Sequence, residues 1–223
     1  DYNINQNKKQ IQESDDLYNE ITETYTSSFA WWTTIMFIVF ILLLGLAVVA
    51  KPFVLTLVGE KWLPSVIYLQ LLCFVGVIYP INILNLNILN VKGRSDIVLR
   101  LEVIKKIIAI PIIAVGIMIG IKAMIVGMII EASLQVFLHA YWSGKLIGYD
   151  ALSQLKDILP SFMLAVVING FVFMLSLLNL DSNSLTLFIQ IISGITLTIL
   201  ICEIINFKDY KYIKNVILTN RFK

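Results

Sequence analysis

The chain has 223 residues, of which 58% are hydrophobic and 14% charged, with a formal net charge of +2. So little charge cannot cover a soluble domain of this size, which excludes an ordinary globular protein and points to lipid as the solvent. One histidine and two cysteines leave little material for a metal centre; Cys73 and Cys202 each stand alone inside apolar runs, as small buried residues do.

Residues 1–28 are polar, and Leu17, Ile21 and Tyr25 repeat at i, i+4, i+8, which predicts an amphipathic linker helix outside the membrane. The chain opens on Asp1 and is expected to be the C-terminal part of a larger membrane protein. Residues 29–50 carry no charge and form the first predicted span, with Trp31 and Trp32 placed for an interfacial belt. The turn Gly59-Glu60-Lys61-Trp62-Leu63-Pro64 follows, with Pro64 suited to a first helical turn, where its missing N–H is not needed. From Trp62 to Val91 there is again no charged residue, and residues 63–90 form the second span. It ends at Lys92-Gly93-Arg94. Residues 98–118 form the third, whose first turns carry Arg100, Glu102, Lys105 and Lys106; those side chains can reach outward to the interface. The turn Gly120-Ile121-Lys122 leads to a fourth span, about 123–143. The amphipathic segment 144–157 is expected to lie along the inner surface. Residues 158–180 and 182–202 supply the last two spans.

The predicted fold class is therefore all-α: a polytopic transmembrane bundle of six spanning helices in three pairs. Its divisions are the linker helix 1–28, four spans within 29–146, the surface segment and last helix pair within 147–206, and a basic tail 207–223. Charge orients the set. If residue 1 is cytoplasmic, the outer turns hold only Lys51, Lys61 and Lys122, and the inner segments hold the other 14 of the 17 Lys and Arg residues. The reverse orientation violates the positive-inside rule. The chain is thus expected to be a multi-pass protein of the bacterial inner membrane with both its ends cytoplasmic.

Catalysis finds no support. There is no Ser/His/Asp set, CxxC pair, HExxH motif or glycine-rich phosphate loop, and the outer turns are short. No cofactor, no metal and no catalytic residue is expected. The basic residues follow a topogenic pattern and not a nucleic-acid footprint, so no nucleic-acid partner is expected.

Three features stand above the apolar background. Gly76 and Pro80 form a kink signature, because Pro80 cannot donate to the carbonyl of Gly76. Asn82, Asn85, Asn87 and Asn90 follow; at 100° per residue Asn82 and Asn85 are neighbours, and Asn87 and Asn90 face another side. Interhelical hydrogen bonding is the plainer expectation for these amides, and contact with a transported substrate is the alternative for Asn82 and Asn85. On the fourth span, Glu131, Gln135 and His139 repeat at i, i+4, i+8 and share one face. Ionisable groups inside a span usually face the bundle interior and often mark a transport path, and Glu131 is expected to line such a path near mid-membrane. Gly116 and Gly120 form a small-xxx-small pattern that would bring the third and fourth spans close together.

The order of these pieces resembles a known family. A polar acidic helix and a span are followed by Val58-Gly59-Glu60-Lys61-Trp62-Leu63-Pro64-Ser65. Then come a leucine- and asparagine-rich span, Asn90-Val91-Lys92-Gly93-Arg94, and a third span opening Leu99-Arg100-Leu101-Glu102. This is similar to the bacterial polysaccharide flippases of the Wzx kind, including colanic and teichuronic acid exporters, within the multidrug/oligosaccharidyl-lipid/polysaccharide exporter superfamily. The resemblance implies a two-lobed transporter with a central cavity open alternately to each side. It also implies an undecaprenyl-linked oligosaccharide as substrate, membrane lipid as surroundings and a missing N-terminal lobe as partner. It carries no motif of substrate residues onto numbered positions here. A multidrug or cation exporter of the same superfamily and a membrane-embedded glycan polymerase or ligase are the alternative readings.

Overall fold

The structure, a computed structural model, describes residues 31–176 and 182–220. The linker helix expected over 1–28 lies outside them, as does most of the link between the last two spans. Among the described residues the chain is helical, with no strand. Its helices are α1 Trp31–Leu57, α2 Val66–Val91, α3 Ser95–Ile119, α4 Ile121–Ile147, α5 Ala151–Leu175, α6 Asn183–Ile205 and α7 Lys208–Asn220. A 3-10 turn, Glu60–Ser65, leads into α2 and contains Pro64.

Five of these are long and apolar enough to cross a membrane: α1, α2 with its leading turn, α4, α5 and α6. The difference from the six expected spans is α3. It has 25 residues, but Arg100, Glu102, Lys105 and Lys106 occupy its first half. The uncharged remainder, Ile107–Ile119, falls short of the roughly 20 apolar residues that a hydrocarbon core needs. The segment 147–157 contains only a short non-helical link, because Ala151–Asp157 already forms the first two turns of α5. The expected basic tail is mostly the helix α7.

The connections follow from local chemistry. Gly120 joins α3 to α4 with φ 121°, a conformation that a side chain strongly disfavours. The hairpin it makes is tight. A Cβ on Gly116 would sit 2.7 Å from the Met124 side chain, and one on Gly127 would sit 2.7 Å from Ile112. The small residues thus let the two helices touch on both sides of the turn. Asp150 caps α5 by accepting from the Ser153 backbone N–H at 3.2 Å, which satisfies one of the orphan donors of the first turn. Hydrogen bonding from the Ser153 hydroxyl, and then from this N–H, holds the Asp150 carboxyl below the usual carboxylate range.

Helix α1 is the central stave. Its residues Met36, Phe40 and Leu44 pack with Val77 and Leu84 of α2 and with Ile158 and Ala165 of α5. One turn further, Val49 meets Val172 of α5 and Leu187 of α6. A third cluster joins Leu89 of α2 to Ile97 and Leu101 of α3, with Leu138, Trp142 and Leu146 of α4 against it. The outward surfaces are apolar too: Ile117, Met118 and Ile204 are 82%, 85% and 79% exposed. Such surfaces suit lipid and would be a liability in water.

At the far end, α7 is docked rather than free. The buried Asp209 accepts from the Thr33 hydroxyl at 2.9 Å and from the Ser161 hydroxyl at 2.7 Å. One carboxylate thereby ties α7 to both α1 and α5. Phe207 packs on Phe37, and Tyr212 meets the edge of Trp31.

The link between α4 and α5 folds back so closely that a Cβ on Gly144 would lie 2.9 Å from the Tyr149 backbone oxygen. Gly144→Ala is expected to destabilise the protein by about 1–3 kcal/mol, as overpacking against backbone does. Gly170→Ala, where nothing lies within 4 Å, is expected to be near neutral. Thermal unfolding of both variants in detergent checks this; equal shifts would remove the steric argument.

Candidate functional site

Polar side chains in lipid have only one another for partners. The structure gathers them into a seam where α2, α4 and α5 meet. Asn85 is fully buried at its centre. Its Nδ2 donates to Gln154 Oε1 on α5 at 2.9 Å and to the Ile81 carbonyl at 3.0 Å, and its Oδ1 accepts from the Ser143 hydroxyl on α4 at 2.5 Å. Gln154 Nε2 in turn donates to the Tyr149 carbonyl at 3.3 Å. That carbonyl is the atom Gly144 leaves room for. Three helices and one turn are thus bound by one chain of hydrogen bonds.

One turn away, Asn82 Nδ2 donates to the Ala132 carbonyl of α4 at 3.1 Å. Asn87 and Asn90 are exposed. The four asparagines therefore divide as their angular positions predict, one pair inward and one outward. Gln135 Nε2 donates to Glu131 Oε1 at 3.0 Å. Gln135 and His139 are buried, and Glu131 is half-buried. The shared face of α4 continues one step beyond the expected triplet: Glu131, Gln135, His139 and Ser143 stand at successive intervals of four residues.

Two atoms in this region lack a partner. Asn82 Oδ1 and His139 Nδ1 are buried with no hydrogen bond, although the His139 ring lies against the Asn82 backbone carbonyl. Unpaired buried groups cost free energy, so this spot, beside Gln135, is the part of the seam able to accept a further polar group.

The expected kink residues lie elsewhere. Helix α2 is uninterrupted through Pro80, which is buried. Gly76 faces α1, where a Cβ would come within 2.7 Å of Leu43 Cδ1, so its smallness serves the α1–α2 approach.

Sequence reasoning missed Ser143, Gln154 and Gly144. It also missed a separate cavity of about 380 Å³ between α1, α5 and α6. That cavity is apolar apart from Asn169, Gln190 and Thr198, and Gln190 Oε1 is buried without a partner. Beside the seam, Tyr149 donates its hydroxyl to Asp157. Burial and that carboxylate push the Tyr149 hydroxyl well up, so it remains a donor. Among the described residues no three His, Cys, Asp or Glu side chains come together where they could hold a metal ion.

Helices of this length, with an apolar exterior and polar groups bonded inside, define a multi-pass, all-α membrane protein. Comparison with known proteins sharpens the class. Over 74 residues, 33% of the chain, it is 40% identical to the lipopolysaccharide biosynthesis protein WzxC of Escherichia coli K12. Over 83 residues, 35% of the chain, it is 41% identical to an uncharacterized membrane protein in the cps region of Klebsiella pneumoniae. These stretches span 15% and 16% of the two relatives' own lengths. No family model matches the chain, and no solved structure matches it at a significant level. The chain is therefore related in part to membrane proteins of polysaccharide biosynthesis, which is the broad class that its resemblance to polysaccharide flippases implies.

The seam makes a stability prediction. Asn85→Ala leaves Ser143 and Gln154 without their partner and is expected to cost about 1–3 kcal/mol. The exposed Asn87→Ala is expected to stay within about 0.5 kcal/mol of the parent protein. Thermal or denaturant unfolding separates the two, and a neutral Asn85→Ala would contradict the bonding pattern.

Proposed function

We propose that this chain is the later part of the second lobe of a flippase, together with its terminal helices. The flippase carries undecaprenyl-linked oligosaccharide repeat units across the bacterial inner membrane. The similarity to WzxC, a protein named for lipopolysaccharide biosynthesis, is the single observation that carries this reading. The absence of a catalytic constellation in the sequence and the all-helical, lipid-compatible bundle agree with a transporter rather than an enzyme.

In this reading α3 crosses beside α4, against which it packs, with its charged half reaching the inner interface; residues 1–28 and 207–223 are then both cytoplasmic, the orientation that places 14 of 17 cations inside. The face Glu131–Gln135–His139, with Asn82 against it, borders the path of the polar headgroup. Its unpartnered Asn82 Oδ1 and His139 Nδ1 could bond sugar hydroxyls that pass along it. Asn85 holds the helices in register through its bonds to Ser143 of α4 and Gln154 of α5. Pro80 and Gly76 are placed where α2 could flex between inward- and outward-open states, since the Gly76 carbonyl lacks its usual donor.

Two experiments test the reading. Deleting the full-length gene should abolish the surface glycan while lipid-linked repeat units accumulate on the cytoplasmic face; normal surface glycan would sink the proposal. In the complemented strain, Glu131→Ala removes the side chain to which Gln135 donates and is expected to keep protein abundance while lowering export. Unchanged export would take Glu131 out of the path. Orientation is read independently: in a background lacking Cys73 and Cys202, a cysteine at Ser95 should resist an impermeant thiol reagent applied from outside, and labelling there would reverse the topology.

A further inference from the structure

Helix α7 begins only two residues after α6 ends. Asn206 takes a left-handed conformation, φ 54° and ψ 45°, and Phe207 completes the elbow. Because α6 is long and apolar enough to span the membrane, α7 starts at the depth where a spanning helix reaches lipid headgroups.

The two sides of α7 differ in kind. At 100° per residue, Lys208, Lys211 and Lys214 fall within an arc of about 120°, and all three are exposed. Asp209 lies on the opposite side, buried and bonded to Thr33 and Ser161. The buried carboxylate therefore fixes the rotation of the helix, and that rotation turns the lysines outward. Lys214 is bonded to Glu203 at 2.6 Å, but Lys208 and Lys211 have no ion-pair partner among the described residues. A notch of about 170 Å³ opens between α6 and α7; it is lined by Asn206, Tyr210, Lys211, Lys214 and Asn215, with Glu203 in its wall. Trp31, Tyr210 and Tyr212 lie around this end of the bundle, as aromatic residues do at a membrane interface.

We propose that this face of α7 is a docking surface for anionic lipids. Their phosphates would bond to Lys208 and Lys211, and one headgroup would sit in the notch against Lys211, Lys214 and Asn215. Charge complementarity chooses the occupant: the face is cationic, it stands at headgroup level, and anionic lipid phosphates are the counter-charges at that depth. The sequence adds Arg221 and Lys223 just beyond. This inference depends on α6 spanning the membrane and not on what the protein transports.

The test uses the purified full-length protein in detergent, with native mass spectrometry of bound lipid. Titration with phosphatidylglycerol should show tighter binding than titration with phosphatidylcholine. Replacing both Lys208→Gln and Lys211→Gln should weaken phosphatidylglycerol binding about thirty-fold, the combined effect of two lysines near a charged surface. Phosphatidylcholine binding should not change. The pair Lys208→Arg and Lys211→Arg should restore binding and so separates charge from folding. Unchanged phosphatidylglycerol affinity in the Gln variant, or equal affinity for the two lipids, would overturn the proposal. Displacement of the lipid by millimolar inorganic phosphate would also overturn it, since the face would then select a free anion.

Discussion

Lipid offers a buried amide no hydrogen-bond partner, and the arrangement of α2, α4 and α5 follows from that constraint. Asn85 satisfies both ends of its side chain only because Ser143 and Gln154 are brought to it from two other helices. Gln154 accepts from Asn85, and its own amide N–H needs an acceptor; the Tyr149 carbonyl serves because Gly144 allows the α4–α5 turn to close over it. Moving any of these helices along its axis by one turn would break several bonds at once. Apolar packing alone would not fix that register, because side chains are as apolar as the lipid they displace.

The same logic recurs at the other end of the bundle with a carboxylate. Asp209 joins α7 to α1 and α5, and α1 in turn contributes to the cores shared with α2, α5 and α6. The molecule thus has two polar fastenings with an aliphatic stave between them. One fastening uses its hydrogen bonds fully around Asn85. The neighbouring region around Asn82 and His139 leaves two buried atoms unbonded. This contrast is why the functional reading falls on Glu131, Gln135, His139 and Asn82, while Asn85 has the character of a structural joint.

The spans were legible because a chain that leaves twenty or so successive residues uncharged is built to cross lipid. Their limits lie within a few residues of the helices, apart from the end of α1, which runs on to Leu57, and the start of α5. The division of the asparagines was legible from helical angle alone. Helix α3 was not decidable in the same way, since its charges fill half its length. Ser143 and Gln154 went unread because one serine or one glutamine in a span carries little signal by itself; continuing the four-residue ladder from Glu131 would have reached Ser143. Gln154 falls in the amphipathic segment 144–157, expected along the inner surface, yet the first turns of α5 bury one side while exposing the other. Helix α7 was hidden by its lysines. Its one strong clue was Asp209, an acid set on the side away from them.

The claim that a shared hydrogen-bond chain sets the register of α2 and α5 is tested most directly by a double-mutant cycle. Asn85→Ala, Gln154→Ala and the double variant would be compared by equilibrium unfolding of the full-length protein. Direct bonding predicts a coupling energy of about 0.5–2 kcal/mol, the size found for contacting polar pairs. Additivity within about 0.3 kcal/mol, the behaviour of distant sites, would mean that the two side chains do not bond in the folded protein, and the account of the seam would fail.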